Sequence, residues 1–294
     1  MLVDFHVHST ASDGTKSPAA IARKTRRFEA AALTDHDNCD GIAEFLAEPA
    51  SDGACRRVAG VELSIDPGEG FDVFHLLALD VNPDDEGLKA LLRRILDGRN
   101  ARNERIIANF LRIGIDLGGE VRSYAHGDIL ARPHFAKWLV AHKYASSVKD
   151  AFDRYLLPIS PAETRCYETR WHPPQEETFR IVHGAGGLCV MAHPKFWRRS
   201  WRAAGCDFAA AERELAAVRE RGLDGLEAEY QANSAGETMG FTQIADRLGL
   251  LKTAGSDYHG TNKPDVTLGM DVSEKFIGPL LDRLRVPRQA SDLV

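Results

Sequence analysis

The pentapeptide Asp4-Phe5-His6-Val7-His8 offers the first recognisable chemistry. On an extended strand successive side chains alternate faces, so His6 and His8 project together while Phe5 and Val7 turn the other way. Two imidazoles roughly 7 Å apart, the span of two strand residues, can reach one metal ion. The alternative is two unrelated histidines, each bonded to nearby backbone. In the loop that follows, Asp13 either leans back as a hard oxygen ligand or simply closes the turn. A second apolar run, Ala31-Ala32-Leu33-Thr34, ends in Asp35-His36-Asp37. His36 is the ligand candidate there, and Asp37 reads as a turn or cap residue.

The same grammar recurs. Glu62 interrupts Val58-Ala59-Gly60-Val61-Glu62-Leu63, a segment that otherwise reads as buried, and a buried carboxylate needs a cation or metal partner. His75 sits alone among apolar residues in Val73-Phe74-His75-Leu76-Leu77, where a satisfied core histidine is the ordinary reading. His193 ends Cys189-Val190-Met191-Ala192, and Asp257 and His259 follow Thr253-Ala254-Gly255-Ser256. Taken together, His6, His8, His36, His75, His193 and His259 with Asp13, Glu62 and Asp257 all fall in or just after strand-like segments. Nitrogen and oxygen donors without thiolate point to a catalytic site for manganese, iron or zinc, not to structural zinc. Such a set exceeds what one ion needs. Two or three divalent ions are expected, manganese first, with Glu62 as the bridging carboxylate.

Elements of the right kind are available to position these residues. Strand-like runs at 2–8, 30–34, 57–64, 72–79, 188–192, 225–229 and 251–254 alternate with amphipathic stretches at 18–28, 41–47, 176–183, 209–221 and 235–248. That order implies an α/β chain with a largely parallel sheet, closed or nearly closed into a barrel. The middle differs: helical patterns at 86–113, 132–141 and 147–155 come without a strand. Residues 84–170 are therefore read as a helical insertion capping the site, with 1–83 and 171–294 forming a discontinuous barrel domain.

Composition sets the outer bounds. With 294 residues, 44% hydrophobic and 27% charged, the chain suits one large soluble domain carrying an insertion. A net charge of −6 offers no general attraction to long nucleic acid or to anionic membrane, so an anionic substrate must be held by metals or by a few placed cations. Cysteines 39, 55, 166, 189 and 206 form no C-x-x-C pair and read as reduced thiols. No secretory signal opens the sequence and no apolar run reaches the roughly 18 residues of a membrane span. A cytoplasmic location is expected.

These residues, in this order, resemble the PHP (polymerase and histidinol phosphatase) family of metal-dependent phosphoesterases. The resemblance rests on DFHVHSTASDG, ALTDHD, GVELS, FHLLALD, MAHP and GSDYH, which together span almost the whole chain. It implies a distorted (β/α)7 TIM-like barrel with His6, His8, Glu62 and Asp257 on one ion. Glu62, His75 and His193 would hold a second, and Asp13, His36 and His259 a third. Leu130-Ala131-Arg132-Pro133-His134-Phe135-Ala136-Lys137 is similar to the TrpH-like group of small stand-alone phosphatases, whose members act on nucleotides, RNA ends or a cyclic ribose phosphate.

The reaction expected is hydrolysis of a small phosphate ester, a nucleotide or ribose phosphate. Closely spaced metals lower the pKa of a water so that hydroxide attacks phosphorus in line. Arg132 and His134, opening a helix whose N-terminus favours anions, are the first candidates to hold the phosphate, with His134 also a candidate acid; Lys195 is next. Arg99, Arg102 and Arg105 read as a solvated helix face, and His126, His142, His172 and His183 as histidines without matching partners. Trp171, Trp197 and Trp201 either line the mouth or pack. Two alternatives keep the metals: a cyclic ribose phosphate phosphodiesterase, and an amidohydrolase-type C–N hydrolase. The latter is disfavoured because Lys252 is the one lysine in a strand-like run and lies outside the middle of the barrel order.

Overall fold

A computed structural model describes residues 1–49, 55–125, 130–198, 201 and 206–285. His126 lies outside them. The chain divides into two compact units, Met1–Leu92 with Pro173–Val294, and Arg93–His172.

The first unit is built on an eight-stranded sheet in the order β7-β6-β5-β4-β3-β2-β1-β8. Its strands are β1 (Leu2–Asp4), β2 (Ala30–Leu33), β3 (Arg56–Ile65), β4 (Phe74–Leu79), β5 (Leu188–Met191), β6 (Gly225–Tyr230), β7 (Leu251–Gly255) and β8 (Met270–Asp271). The segments leaving β1 and β7 hydrogen-bond to each other: Asp257 N donates to His6 O and His8 N to Tyr258 O, both at 2.9 Å. The sheet thereby curls into a nearly closed barrel. All four residues of β2 are buried, as expected of a strand covered on both faces.

The sheet is less parallel than the sequence pattern suggests. β4 runs antiparallel to both β3 and β5, and β8 antiparallel to β1. The cause is connection length. Only residues 66–73 separate β3 from β4, and a parallel crossover needs a dozen or more. A hairpin is forced. Its consequence is functional: β3 delivers Glu62 near its C-terminal end, and the reversed β4 delivers His75 near its N-terminal end, at the same rim.

Helices α1 (Pro18–Lys24), α2 (Ile42–Ala47), α6 (Gln175–Gly184), α7 (Phe208–Glu220) and α8 (Ala235–Leu248) belong to this unit. Ser17 caps α1 by accepting from Ala20 N at 3.2 Å, with Pro18 just inside the helix. Ser234 and Glu237 form a capping box on α8, which ends at Gly249 with φ 65°. A further helix, α9 (Glu274–Arg285), was not read from the sequence. Its Ile277, Leu280, Leu281 and Leu284, at helical spacing, bury into a cluster with Val3, Val58, Leu79, Leu188 and Val190. Along β3 and β4, that apolar cluster occupies the strand ends away from Glu62 and His75.

The second unit is helical, with no strand among its described residues. It contains most of α3 (Glu86–Arg112), α4 (Arg132–Ala141) and α5 (Val148–Ala151), the last continuing into a wide turn over Phe152–Leu156. Ile106, Phe110, Leu117, Val121, Phe135, Trp138, Leu139 and Leu156 form its core. All five cysteines are free.

Candidate metal centre

Glu62 is the hub. Its side chain is 1% exposed, and five imidazoles surround the carboxylate. His6 Nε2, His8 Nε2 and His36 Nδ1 lie 3.3, 3.2 and 3.0 Å from Oε2. His75 Nδ1 and His193 Nε2 lie 2.8 and 3.2 Å from Oε1. Asp257 Oδ1 stands 3.6 Å from His6, 3.4 Å from His8 and 3.3 Å from His259. Asp13 faces His259 Nε2 at 3.2 Å and His36 Nε2 at 4.0 Å. All the residues singled out from the sequence for metal binding therefore meet in one place. Their donor atoms fall into overlapping groups, each within 4.8 Å: His8, Asp13, His36 and His259; His6, Glu62 and His193; His6, His8 and Asp257; His36, Glu62 and His75.

The donors fit divalent ions. His6 Nε2, both ring nitrogens of His8 and Glu62 Oε2 are buried without a hydrogen bond. Polar atoms left in that condition cost several kcal/mol of lost solvation between them, about 1–3 each. Burial alone would raise the pKa of Glu62, but the surrounding His36, His6 and His75 hold it well below the ordinary carboxylate range. Burial likewise opposes ionisation of Asp257, which His6, His8 and Lys263 nevertheless keep well below normal. For His8, burial disfavours the charged ring, yet Asp257 and Glu62 raise its pKa to about 9. The acids are thus ready as anionic ligands. Protons on the imidazoles compete with the metal.

Several residues that support the ligands were not evident in the sequence. Glu227, fully buried on β6, faces His6 Nδ1 at 3.0 Å through Oε1 and accepts from His193 N at 2.6 Å through Oε2. It fixes the His6 ring and also the backbone of His193, which sits at φ 27° and ψ 63°, a strained conformation for a non-glycine residue. A Cβ at Gly255 would fall 2.1 Å from Glu227 Oε1 and 2.5 Å from His6 Cβ, so this pairing requires glycine there. Asp35 accepts from Ser9 N, Ser9 Oγ and Ser12 Oγ at 2.7, 2.6 and 2.6 Å, holding the loop that carries Asp13. Asp4 accepts from His6 N, Ser256 N, Ser256 Oγ and Gly269 N; burial lifts its pKa to about 6 despite those bonds. Asp37, at φ 55° and buried, is a turn residue, as read from the sequence.

A cavity of about 360 Å³ opens onto the ligands, lined by His36, Glu62, His75, His193, Phe196, Tyr230, Asp257 and Lys263. Lys263 Nζ and Tyr230 OH both donate to Asp257 Oδ2, at 2.6 and 3.0 Å, leaving Oδ1 toward the histidines. Lys195, the cation expected here, instead donates to Glu237 Oε2 at 2.8 Å and Ala232 O at 2.7 Å. Trp197 is buried and bonds Asp72 O, while lining a smaller apolar cavity of about 130 Å³ with Phe74 and Phe196. Arg132 and His134 belong to the helical unit; His134 Nδ1 accepts from Ala131 N at 3.0 Å, which leaves the proton on Nε2.

Arg99 and Arg102 are corrected. They are 7% and 4% exposed, not a solvated face, whereas Arg105 is half exposed and pairs with Glu168. Sequence spacing placed all three on one helix but could not show that Arg99 and Arg102 turn inward, Arg102 among Arg132, Tyr167 and Arg170.

An α/β barrel with imidazoles and carboxylates gathered at one rim defines a metal-dependent hydrolase. The sequence matches the PHP domain family over residues 4–157. A 3',5'-nucleoside bisphosphate phosphatase of Chromobacterium violaceum is 31% identical over 261 residues, 87% of each chain. The 5'-3' exoribonuclease Rnm of Escherichia coli is 29% identical over 88% of this chain and 85% of its own. A phosphoribosyl 1,2-cyclic phosphate 1,2-diphosphodiesterase of Eggerthella lenta is 27% identical over 88% and 95%. Among solved structures, a C. violaceum protein described as an amidohydrolase, with bound sulfate and no metal, superposes at TM-score 0.79 with 28% identity over 96% of both chains. A Bifidobacterium adolescentis protein assigned as a metal-dependent phosphoesterase gives 0.77 and 27% over the same share. The chain belongs to the PHP family and is a metal-dependent phosphoesterase. The C–N hydrolase alternative is not favoured: Lys252 pairs with Asp246 and packs on Phe276 instead of joining the ligands.

Proposed function

We propose that the protein hydrolyses small phosphate esters of the nucleotide or ribose phosphate class, using two or three divalent ions held by His6, His8, Asp13, His36, Glu62, His75, His193, Asp257 and His259, with manganese the first choice. The observation that carries this is the set of buried donor atoms without hydrogen bonds, on His6, His8 and Glu62, inside a cluster of imidazoles and acids. Divalent ions supply acidified water and charge to offset the phosphate oxygens. The chain's own residues do the rest. Glu62, with imidazoles facing both of its oxygens, would be the bridging carboxylate. Glu227 and Asp35 hold the ligand-bearing segments still, and Lys263 and Tyr230 keep Asp257 in one orientation.

A small substrate is favoured over long RNA on two grounds. The cavity, at about 360 Å³, is in the size class of small-ligand pockets. A net charge of −6 gives no general attraction to a long phosphodiester backbone. The relatives share a phosphate on a ribose or ribonucleotide, which is the chemistry carried over here. Arg132, His134 and Lys195 remain candidates for phosphate binding; Lys195 would first have to leave Glu237.

The test is phosphate release in manganese from a panel containing a nucleoside 3',5'-bisphosphate, a nucleoside monophosphate, ribose phosphate, a cyclic ribose phosphate and a short RNA. Release from the small nucleotides is expected, with Glu62→Ala and His193→Ala inactive. Turnover of RNA alone, or activity retained by both variants, would overturn the reading.

A further inference from the structure

A second group of metal-binding side chains lies at the other end of β5. His193 follows that strand's C-terminal end, while Cys189 is its second residue, roughly 13 Å back along the strand. Leu188 and Val190 join the barrel's apolar cluster, so Cys189 turns to the opposite face, toward α6. There it meets His183, in the last turn of α6, and Asp224, the residue before β6. One donor atom from each of the three lies within 4.8 Å of the other two. His183 Nε2 stands 2.8 Å from Asp224 Oδ2. Cys189 is fully buried, whereas the His183 and Asp224 side chains are 39% and 31% exposed, so solvent reaches the group from one side.

A half-exposed His–Asp pair alone is an ordinary surface contact, worth little. Two features set this one apart. The first is chemical: thiol, imidazole and carboxylate supply sulfur, nitrogen and oxygen donors, a set that suits zinc and disfavours manganese. A thiolate and a carboxylate together also balance a dication. The second is rigidity. Asp224 Oδ2 accepts from Cys189 N at 2.7 Å, and Asp224 N donates to Cys189 O at 2.8 Å, so carboxylate and thiol are held side by side. Gly222, at φ 112°, runs so near the ring that a Cβ there would lie 3.3 Å from His183 Cε1. Tetrahedral zinc, about 2.0–2.1 Å from nitrogen and oxygen, sets those donors roughly 3.3 Å apart, about half an ångström beyond their present spacing. Without an ion, burial and the Asp224 charge push the Cys189 pKa well above its ordinary value, so the thiolate forms only with a cation beside it.

We propose that His183, Cys189 and Asp224 form a second metal site, a zinc site at the barrel end away from the phosphoesterase centre, with water as its fourth ligand. Binding sheds the Cys189 proton to solvent and leaves the His183 ring proton on Nδ1, so that Nε2 is the ligand. The ion ties the end of α6 to β5 and to the start of β6, the strands that lead to His193 and carry Glu227. The proposal stands apart from the phosphoesterase reading, since none of these residues belongs to the ligand cluster around Glu62.

The experiment is titration of cobalt(II), a spectroscopic stand-in for zinc, into the reduced full-length chain after metal removal by chelation. Cobalt bound through a thiolate absorbs strongly in the near ultraviolet by charge transfer. The cluster around Glu62, all nitrogen and oxygen, gives no such band. A saturable band is expected, and added zinc should erase it. Cys189→Ser should abolish the band. His183→Ala should weaken the cobalt affinity it reports by about tenfold or more, and Cys39→Ser, which removes the cysteine nearest His36 in sequence, should leave it unchanged. Should Cys189→Ser fail to fold, the half-exposed His183→Ala decides alone, with circular dichroism to show that it is folded. No band in the parent, a band that survives Cys189→Ser, one undiminished in His183→Ala, or one lost in Cys39→Ser would each refute the site.

Discussion

At the scale of single residues, Glu227 shows how a group with no direct role as ligand shapes the centre. It has two carboxylate oxygens and two tasks, the His6 ring and the His193 backbone. Burial disfavours a charged His6, and Glu227 is the largest of the charges that nevertheless raise its pKa well above normal. Glu227→Gln keeps the shape and removes that charge. Metal affinity should fall by about 10- to 100-fold, the usual effect of losing the partner behind a ligating histidine, with little change in fold. Competition against a chelating dye measures it, and wild-type affinity in the variant would show that the contact is incidental. Residue-level reading of the sequence singled out the histidines and acids that meet in this cluster, most of them because they interrupt or end an apolar run; Asp13 came from the polar loop after β1. It could not find Glu227 or Lys263. Glu227 sits in Gly225-Leu226-Glu227-Ala228-Glu229-Tyr230, where two acids two residues apart would share a face of a regular strand, and an irregularity in the pairing with β7 between Glu227 and Glu229 separates them. Lys263 reaches Asp257 from a loop whose path no local pattern records.

At the scale of elements, the barrel succeeds by small accommodations that periodicity does not reveal. The β3–β4 hairpin was legible in principle, since its connection is too short for a helix, but an apolar run reads the same in either direction. α9 escaped because Pro279 interrupts its pattern, although its apolar stripe is clear once Ile277, Leu280 and Leu284 are seen together. The approach of β7 to β6 and β1 depends on Gly255. Gly255→Ala would drive a methyl group into Glu227 and His6, neither of which has open space to move into. The expected cost is about 1–3 kcal/mol of overpacking, together with weakened metal binding as His6 is displaced. Thermal denaturation with and without manganese tests both parts. A variant as stable as the parent and stabilised equally by metal would show that the strands can part there without consequence.

At the scale of the whole molecule, the ligand cluster couples protons, metal and stability. In metal-free protein His8 has a pKa of about 9 against an ordinary 6.5, raised by Asp257 and Glu62 in spite of burial. A group whose folded pKa is raised contributes stability that is complete below its unfolded pKa and is lost as pH climbs through the folded value. The metal-free chain should therefore lose stability between about pH 6.5 and 9. His6, also raised, acts in the same direction. Arg102, depressed to about 9, stays protonated in both states below that pH and works oppositely only above it. A bound divalent ion reverses the trend, since it requires the imidazole without its proton and its affinity grows as protons leave. Melting temperature measured from pH 6.5 to 9 should fall for chelated protein and rise, or fall less steeply, at fixed manganese. Calorimetry in buffers of different ionisation enthalpy should detect proton release on metal uptake, diminishing toward pH 9. Chelated protein that grew more stable across this interval, or metal uptake without proton release at pH 7, would mean the imidazoles are already neutral and that the acids do not govern them.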